Sequence, residues 1–373
     1  MKKQLIFPFV LLLVLGSCIS EYIPTSISEH NELMVVDGTI TDSVTLIRLS
    51  RSYAIDQNFA NNIPITDARV RIEVDGGANR TLVTQPDRGL YAIATGTLHP
   101  DSAYRVYIQW NNEEYVSEYL TPLQTPAIES ITFDKTGQGK PLEIFVNSTR
   151  NDSGSQFYRW TYHDQWEFDA ELYAMGIWDP TGDSVKIYDE REGIYNLTFH
   201  CWQQSRSTSL ILENTLQLSE NHVRNKRILE IPASNKRISK LYHIEVTQYS
   251  IRKESFEYFN NLQKNIDEMG SLFAPIPSEM NGNIRNIGND GWAIGYVDVS
   301  VPRRKKLFIT TQEAGYEPTG RSCDVLDYSK AGYGIYQLDN AGGVTSWAPV
   351  ECIDCTRNGG TKNKPDFWPN DHR

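Results

Sequence analysis

The chain has 373 residues, with 36 Lys and Arg against 47 Asp and Glu, for a formal net charge of −11. That balance disfavours a phosphate backbone as partner, so the chain is not expected to bind nucleic acid. The length allows two domains or one large domain with additions, and past the leader no apolar run approaches the roughly 20 residues of a membrane helix.

Met1-Lys2-Lys3 is a basic start, and Leu5 to Leu15 is an apolar stretch too short to cross a bilayer as a helix. With Gly16-Ser17 behind it, this reads as a cleaved signal over residues 1–17. The small pair before Cys18 resembles the bacterial lipobox, in which the cysteine receives a diacylglycerol and its freed amine an acyl chain. Cys18 is thus the expected lipidation site; an ordinary export signal with a chance cysteine is the alternative. At about 0.8 kcal/mol per buried methylene, two or three acyl chains anchor a protein stably. Residues 18–31 lack periodicity and carry Ser, Thr and Pro, the composition of a flexible tether reaching up to ~45 Å. Ile19 is not the Asp that retains many lipoproteins in the inner membrane. Ser20-Glu21 is similar to acidic surface-export signals, so the expected location is the outer membrane, with the cell surface favoured over the periplasmic face.

Residues 32–120 hold seven short runs of strand character. Val70, Ile72 and Val74 alternate with Arg69, Arg71 and Glu73, which places one face in a core and the other in water. Asp75-Gly76-Gly77, Asp87-Arg88-Gly89 and Trp110-Asn111-Asn112 supply the turns. The spacing predicts an antiparallel, Ig-like β-sandwich. At Asp67-Ala68-Arg69-Val70 and Asp87-Arg88-Gly89-Leu90-Tyr91 the stretch resembles the carboxypeptidase regulatory, transthyretin-like sandwich, which implies a structural or docking module without catalysis. Pro122 and Pro126 then break the pattern and mark a boundary.

Residues 127–311 read as a larger β-rich domain with one helix near 251–269. For that helix Ser250 is the expected N-cap, Phe256, Phe259, Leu262, Ile266 and Met269 the apolar stripe, and Gly270 the stop. The aromatic row Phe157, Tyr158, Trp160, Tyr162, Trp166 and Phe168 could stack on sugars, but strand cores are the commoner explanation. Arg303-Arg304-Lys305-Lys306, between two apolar strands, could meet lipid phosphates or a partner's acidic surface, but a solvated hairpin carrying gatekeeper charges is the expected reading.

The tail, residues 312–373, is Gly-rich and reads as irregular, packed on the second domain. Setting aside Cys18, the chain carries Cys201, Cys323, Cys352 and Cys355, an even set in an oxidising compartment, so two disulfides are expected. Of three connectivities, the favoured ones join Cys323 to Cys352 or Cys355 and use the remaining cysteine to reach Cys201. Cys352-Ile353-Asp354-Cys355 also has zinc-ligand spacing, with His372 as a partner, but no second CxxC accompanies it. No metal or other cofactor is expected.

Leu33 to Thr41, His200-Cys201-Trp202, Val246 to Ser250, Gly282-Asn283-Ile284, and Glu351 to Thr356 with Lys364 to Trp368 together resemble an uncharacterised family of Bacteroidota outer-membrane lipoproteins. Members carry a domain of unknown function and are typically encoded beside TonB-dependent receptors. The resemblance implies membrane attachment through lipid and a receptor barrel as partner, with no site residues to carry over. Enzyme motifs such as HExxH and G-x-S-x-G are lacking, and the seven His are scattered. Glu167, Asp169 and Glu171 alternate on one strand face, as a carboxylate pair or calcium oxygens would, though a solvated face is the simpler reading. Catalytic residues are therefore not assigned. The expected role is a non-enzymatic accessory of a TonB-dependent receptor in nutrient uptake, with a surface adhesin as the alternative and an extracellular hydrolase third.

Overall fold

The computed structural model describes residues 33–52, 63–135, 137, 139–152, 154–179, 184–187, 198–268, 282–288, 293–318, 323–328, 332–338 and 343–370. The leader, Cys18 and the tether lie outside the described residues, as do Met269 and Gly270 at the expected helix end.

The chain is mainly β. The strands of the N-terminal part are β1 (Met34–Ile40), β2 (Ser43–Arg51), β3 (Ile63–Pro64), β4 (Arg69–Val74), β5 (Val83–Asp87), β6 (Leu90–Gly96), β7 (Tyr104–Trp110), β8 (Glu113–Ser117) and β9 (Leu123–Gln124). Then come β10 (Ile128–Asp134), β11 (Leu142–Ser148), β12 (Phe157–Asp169), β13 (Gly176–Asp179), β14 (Ser184–Ile187), β15 (His200–Arg206), β16 (Ile211–Asn214), β17 (Lys226–Ile231) and β18 (Leu241–Ile251). Helix α1 (Lys253–Glu268) is followed by β19 (Ile284–Asn286), β20 (Asp298–Val301), β21 (Arg303–Thr310), α2 (Thr311–Ala314), β22 (Tyr333–Leu338), β23 (Val344–Pro349) and α3 (Val350–Ile353).

The first body is a sandwich. One sheet runs β5-β6-β2-β1-β20-β9 with β3 beside β2, and the other runs β19-β8-β7-β4. Period-2 alternation does most of this locally: β4 buries Val70 and Ile72 while Arg69 points outward. The core between the sheets contains Met34, Val36, Ile47, Ile72, Ile93 and Val106, but also Ile284, Ala293, Val297 and Val299. Those four come from far along the chain. The sandwich therefore does not end near residue 120, because β19 and β20 return to complete its two sheets.

The return explains itself through strand direction. β20 lies parallel to β1 and to β9, and a parallel neighbour cannot be reached through a tight hairpin. Val36 N–H donates to the Ile294 carbonyl and Ile294 N–H to that of Met34, each at 2.8 Å. Gly295 follows at φ +143°, where a Cβ would stand 2.1 Å from the Val36 carbonyl oxygen. Only glycine lets the two backbones pass this closely.

A buried ion pair clamps the junction. Asp298, 2% exposed, accepts the Arg252 backbone N–H at 2.8 Å and an Arg252 guanidinium N–H, while the same guanidinium reaches the Thr121 carbonyl in the proline-flanked linker. Burial pushes the Asp298 carboxyl up, and Arg252 pulls it back. Arg252 also precedes α1, whose first bond runs from Phe256 N–H to the Arg252 carbonyl at 2.9 Å. The expected cap Ser250 is instead buried inside β18, its N–H held by Thr125 Oγ1 at 2.9 Å, because pairing with β12 carries the strand on to Ile251. Tyr258 and Phe259 of α1 pack with Tyr296 of the returning segment, while Ile266 stays exposed.

The second body sets the sheet β15-β12-β18-β21, with β16 beside β12, around a core shared with the sheet β10-β11-β17. Tyr158, Trp160, Trp166 and Phe168 of the aromatic row are buried there, where Trp160 Nε1 donates to Gln248 Oε1 at 2.9 Å. Arg303 to Lys306 form no hairpin. They are the first half of β21, paired residue for residue with Gln248 to Glu245 of β18, and only Pro302 separates them from β20. Nor is the tail irregular: β22 and β23 complete a third sheet, β14-β13-β22-β23, with strands from far upstream.

Replacing Gly295 with Ala is expected to lower stability by about 2–3 kcal/mol through backbone strain and collision with β1. Urea unfolding midpoints of the two proteins check this, and an unchanged midpoint would mean that β1 yields at no cost.

Candidate functional site

The outer face of the five-stranded sheet is polar at both ends. On β12 the odd-numbered residues Arg159, Thr161, His163, Gln165, Glu167 and Asp169 share that face, away from the core residues Tyr158, Trp160, Trp166 and Phe168. Register puts Tyr249 opposite Arg159 and Thr247 opposite both Thr161 and Arg304. The N-terminal sandwich stands over one end of this face and the C-terminal segment over the other.

At the sandwich end lies a shallow, open cleft of about 180 Å³. The sheet side supplies Arg159, Thr161, Tyr249 and Arg304; the sandwich side supplies Asp37 to Thr39 of β1, Val44, Leu46 and Arg48 of β2, and Leu90. Gly38 keeps β1 tight against β2, since a Cβ there would meet the Leu46 carbonyl oxygen and Ile47 Cδ1, each at 2.6 Å. The Arg159 guanidinium lies 4.6 Å over the Phe259 ring, so α1 fixes its direction. Its nearest carboxylate, Asp37, is 3.8 Å away.

At the other end the acidic stripe is divided: Glu171, past the end of β12, is exposed as a solvated face would be, whereas Glu167 and Asp169 are not. Glu167 is fully buried: it accepts Trp368 Nε1–H at 2.8 Å and lies 2.9 Å from His200 Nε2. Asp169 accepts from His200 Nδ1 at 2.7 Å and from Lys240 Nζ at 2.6 Å, while Glu171 accepts the Cys323 N–H at 3.2 Å. Lys362 reaches the His200 carbonyl. The tail covers Glu167 and partly covers Asp169, which alternation along β12 could place on a common face but could not cover. Every group here is matched to a partner inside the chain, which makes the cluster a latch for the tail.

His243 lies under the same latch. It is 1% exposed, its two ring nitrogens lack hydrogen-bond partners, and Phe308, Phe367 and Trp368 surround it at 4.6–6.3 Å between ring centroids. Burial, and then the charge of Lys306, lower its pKa from 6.5 to about 4.

Two disulfides staple the region: Cys201 to Cys355 and Cys323 to Cys352. The first ties β15 to the tail, and the second closes a loop within it. Both cysteines of the CxxC pair are thereby consumed by different partners, which leaves no thiolate pair for zinc. His372 lies outside the described residues, and among those described no three His, Cys, Asp or Glu side chains converge as metal ligands.

Fold and cleft together define a mainly β, disulfide-stapled protein with a cleft between two β bodies. The chain belongs to the family described as Domain of unknown function (DUF4249), whose model matches residues 19–306. That span includes both walls of the cleft and stops within β21, before the tail. No curated protein is significantly similar to the chain. Of the cleft arginines, Arg304 was singled out in the sequence only as part of a basic run, and Arg48 and Arg159 escaped the sequence reading. Arg159 sits inside the aromatic row, and its one available signal was a charge at every-other position of a strand whose alternate residues are aromatic.

Two outcomes test the latch. His243 contributes stability that is complete above pH 6.5 and is lost as pH falls toward 4, because the unfolded chain then binds the proton more readily; the loss is on the order of 3 kcal/mol. His243→Leu should flatten that part of the stability profile between pH 7 and 4, as read by urea unfolding. Opening the bridge that spans 154 residues, by Cys201→Ser with Cys355→Ser, should cost about 4–5 kcal/mol by loop entropy. The denaturation midpoint measured without reductant reads that loss.

Proposed function

We propose that this protein is a non-enzymatic, lipid-anchored outer-membrane lipoprotein that works beside a TonB-dependent receptor in capturing or admitting a nutrient. The observation that carries this reading is the leader: a basic start, an apolar stretch from Leu5 to Leu15, and Gly16-Ser17 immediately before Cys18. Acyl chains on Cys18 hold the protein at the membrane, and residues 18–31 let the folded part stand off it by up to ~45 Å. The mainly β bodies suit surface docking, and the cleft between them suits ligand capture. Glu167, Asp169 and His200, the closest grouping of titratable side chains with catalytic character, are occupied in holding the tail.

The test is purification of a tagged copy from its native outer membrane in mild detergent, with Cys18→Ala as the unanchored control. A TonB-dependent receptor is expected to co-elute in stoichiometric amount, and the control is expected to lose the membrane fraction. Recovery of the lipoprotein alone across several detergents would instead favour an adhesin, which binds matrix or glycan without a barrel.

A further inference from the structure

We propose that the cleft between the sandwich and the five-stranded sheet is a binding site for a small amphipathic organic anion, with its carboxylate or phosphate head on Arg159 and Arg304 and its apolar part on Val44 and Leu46. This goes beyond the receptor reading and does not depend on it.

Charge is the first support. The chain as a whole carries −11, yet Arg48, Arg159 and Arg304 line the cleft against the single carboxylate of Asp37, a local excess of two positive charges. Their bonding is the second. Among the described residues, Arg159 has the least exposed side chain of any arginine in an ion pair, at 15%, yet its carboxylate is 3.8 Å away. Arg71, Arg105 and Arg252, which are more exposed, each donate directly to a carboxylate within hydrogen-bond reach. Arg48 is likewise 3.9 Å from Asp87, and Arg304 has no ion pair within 4.0 Å among the described residues. Distances near 4 Å lie beyond the 2.7–3.2 Å range of a hydrogen bond, so the forked N–H donors of a half-desolvated guanidinium remain open to an incoming anion. A bidentate carboxylate or phosphate matches that fork.

The apolar half of the ligand follows from β2. Its outward-facing residues Val44 and Leu46 are 47% and 45% exposed, large for aliphatic side chains on a strand, and both line the cleft beside the arginines. Water covers them at a cost of roughly 25 cal/mol per Å² that an apolar group would recover. Because one wall belongs to the sandwich and the other to the sheet, a bound anion would bridge the two bodies.

The experiment is isothermal titration of the intact lipoprotein in non-ionic detergent at low salt. The probes are phenylacetate, phenyl phosphate and the uncharged match 2-phenylethanol. At least one anion is expected to bind saturably at one site per chain, the alcohol not to bind, and the tighter anion identifies the head group. Arg159→Gln and Arg304→Gln should each weaken that binding roughly tenfold. Arg206→Gln, on the same sheet but outside the cleft, should leave it unchanged. Unfolding temperatures without ligand confirm that the variants are folded, and Arg304, being exposed, keeps the test valid if Arg159→Gln is not. Equal binding of the alcohol, no saturable binding of either anion, or undiminished binding by the folded arginine variants would overturn the assignment. Receptor co-purification is read separately, so either result can fail alone.

Discussion

The architecture hangs on the buried pair between Arg252 and Asp298. Asp298 sits on the strand that re-enters the sandwich, Arg252 sits at the entry of α1, and Thr121, bonded to the same guanidinium, sits in the linker between the bodies. Three segments distant in sequence are thereby tied at one point. An uncompensated charge buried at this depth would cost several kcal/mol, so each partner makes the other tolerable. The pair also decides direction, since it holds β20 parallel to β1 and β9 while leaving α1 free to pack Tyr258 and Phe259 against Tyr296.

From that junction the five-stranded sheet extends with its outer face covered twice. The sandwich closes one end loosely, leaving charged side chains near 4 Å apart and a cleft. The tail closes the other end tightly, with hydrogen bonds of 2.6–2.9 Å around Glu167, Asp169 and His200 and a disulfide at its edge. The same strand, β12, thus carries a structural cluster and a binding-type cluster. What separates them is closeness: Glu167 and Asp169 under the tail are held within hydrogen-bond reach, whereas Arg159 and Arg48 under the sandwich face their carboxylates at 3.8–3.9 Å.

Local pattern was legible where a single strand or motif suffices. The alternation in β4, the turns at Asp75-Gly76-Gly77 and Asp87-Arg88-Gly89, and the apolar face of α1 around Phe259 follow from backbone periodicity and side-chain size alone. The expected N-cap at Ser250 failed because a ladder with β12, invisible locally, extends β18 past it. The basic stretch at Arg303 to Lys306 read as a turn because charge density resembles solvent exposure, and indeed all four are exposed, yet they pair along β18. β22 and β23 pair with each other, but they went unread because β13, which joins β22 to complete the sheet, lies far upstream.

By itself the sequence determined the mainly β character, the even set of four cysteines beyond Cys18, and the basic start, apolar stretch and small pair that precede Cys18. Each of these is a property of neighbouring residues or of composition. Only the tertiary structure decided that Ile284–Asn286 and Asp298–Val301 belong to the first body, that Cys201 pairs with Cys355, that Glu167 is buried under the tail, and that Arg159 faces Asp37 across a cleft. The physical reason is the same in every case: alternation along a strand says which face a side chain takes, whereas what covers that face is chosen by contacts between segments far apart in the chain.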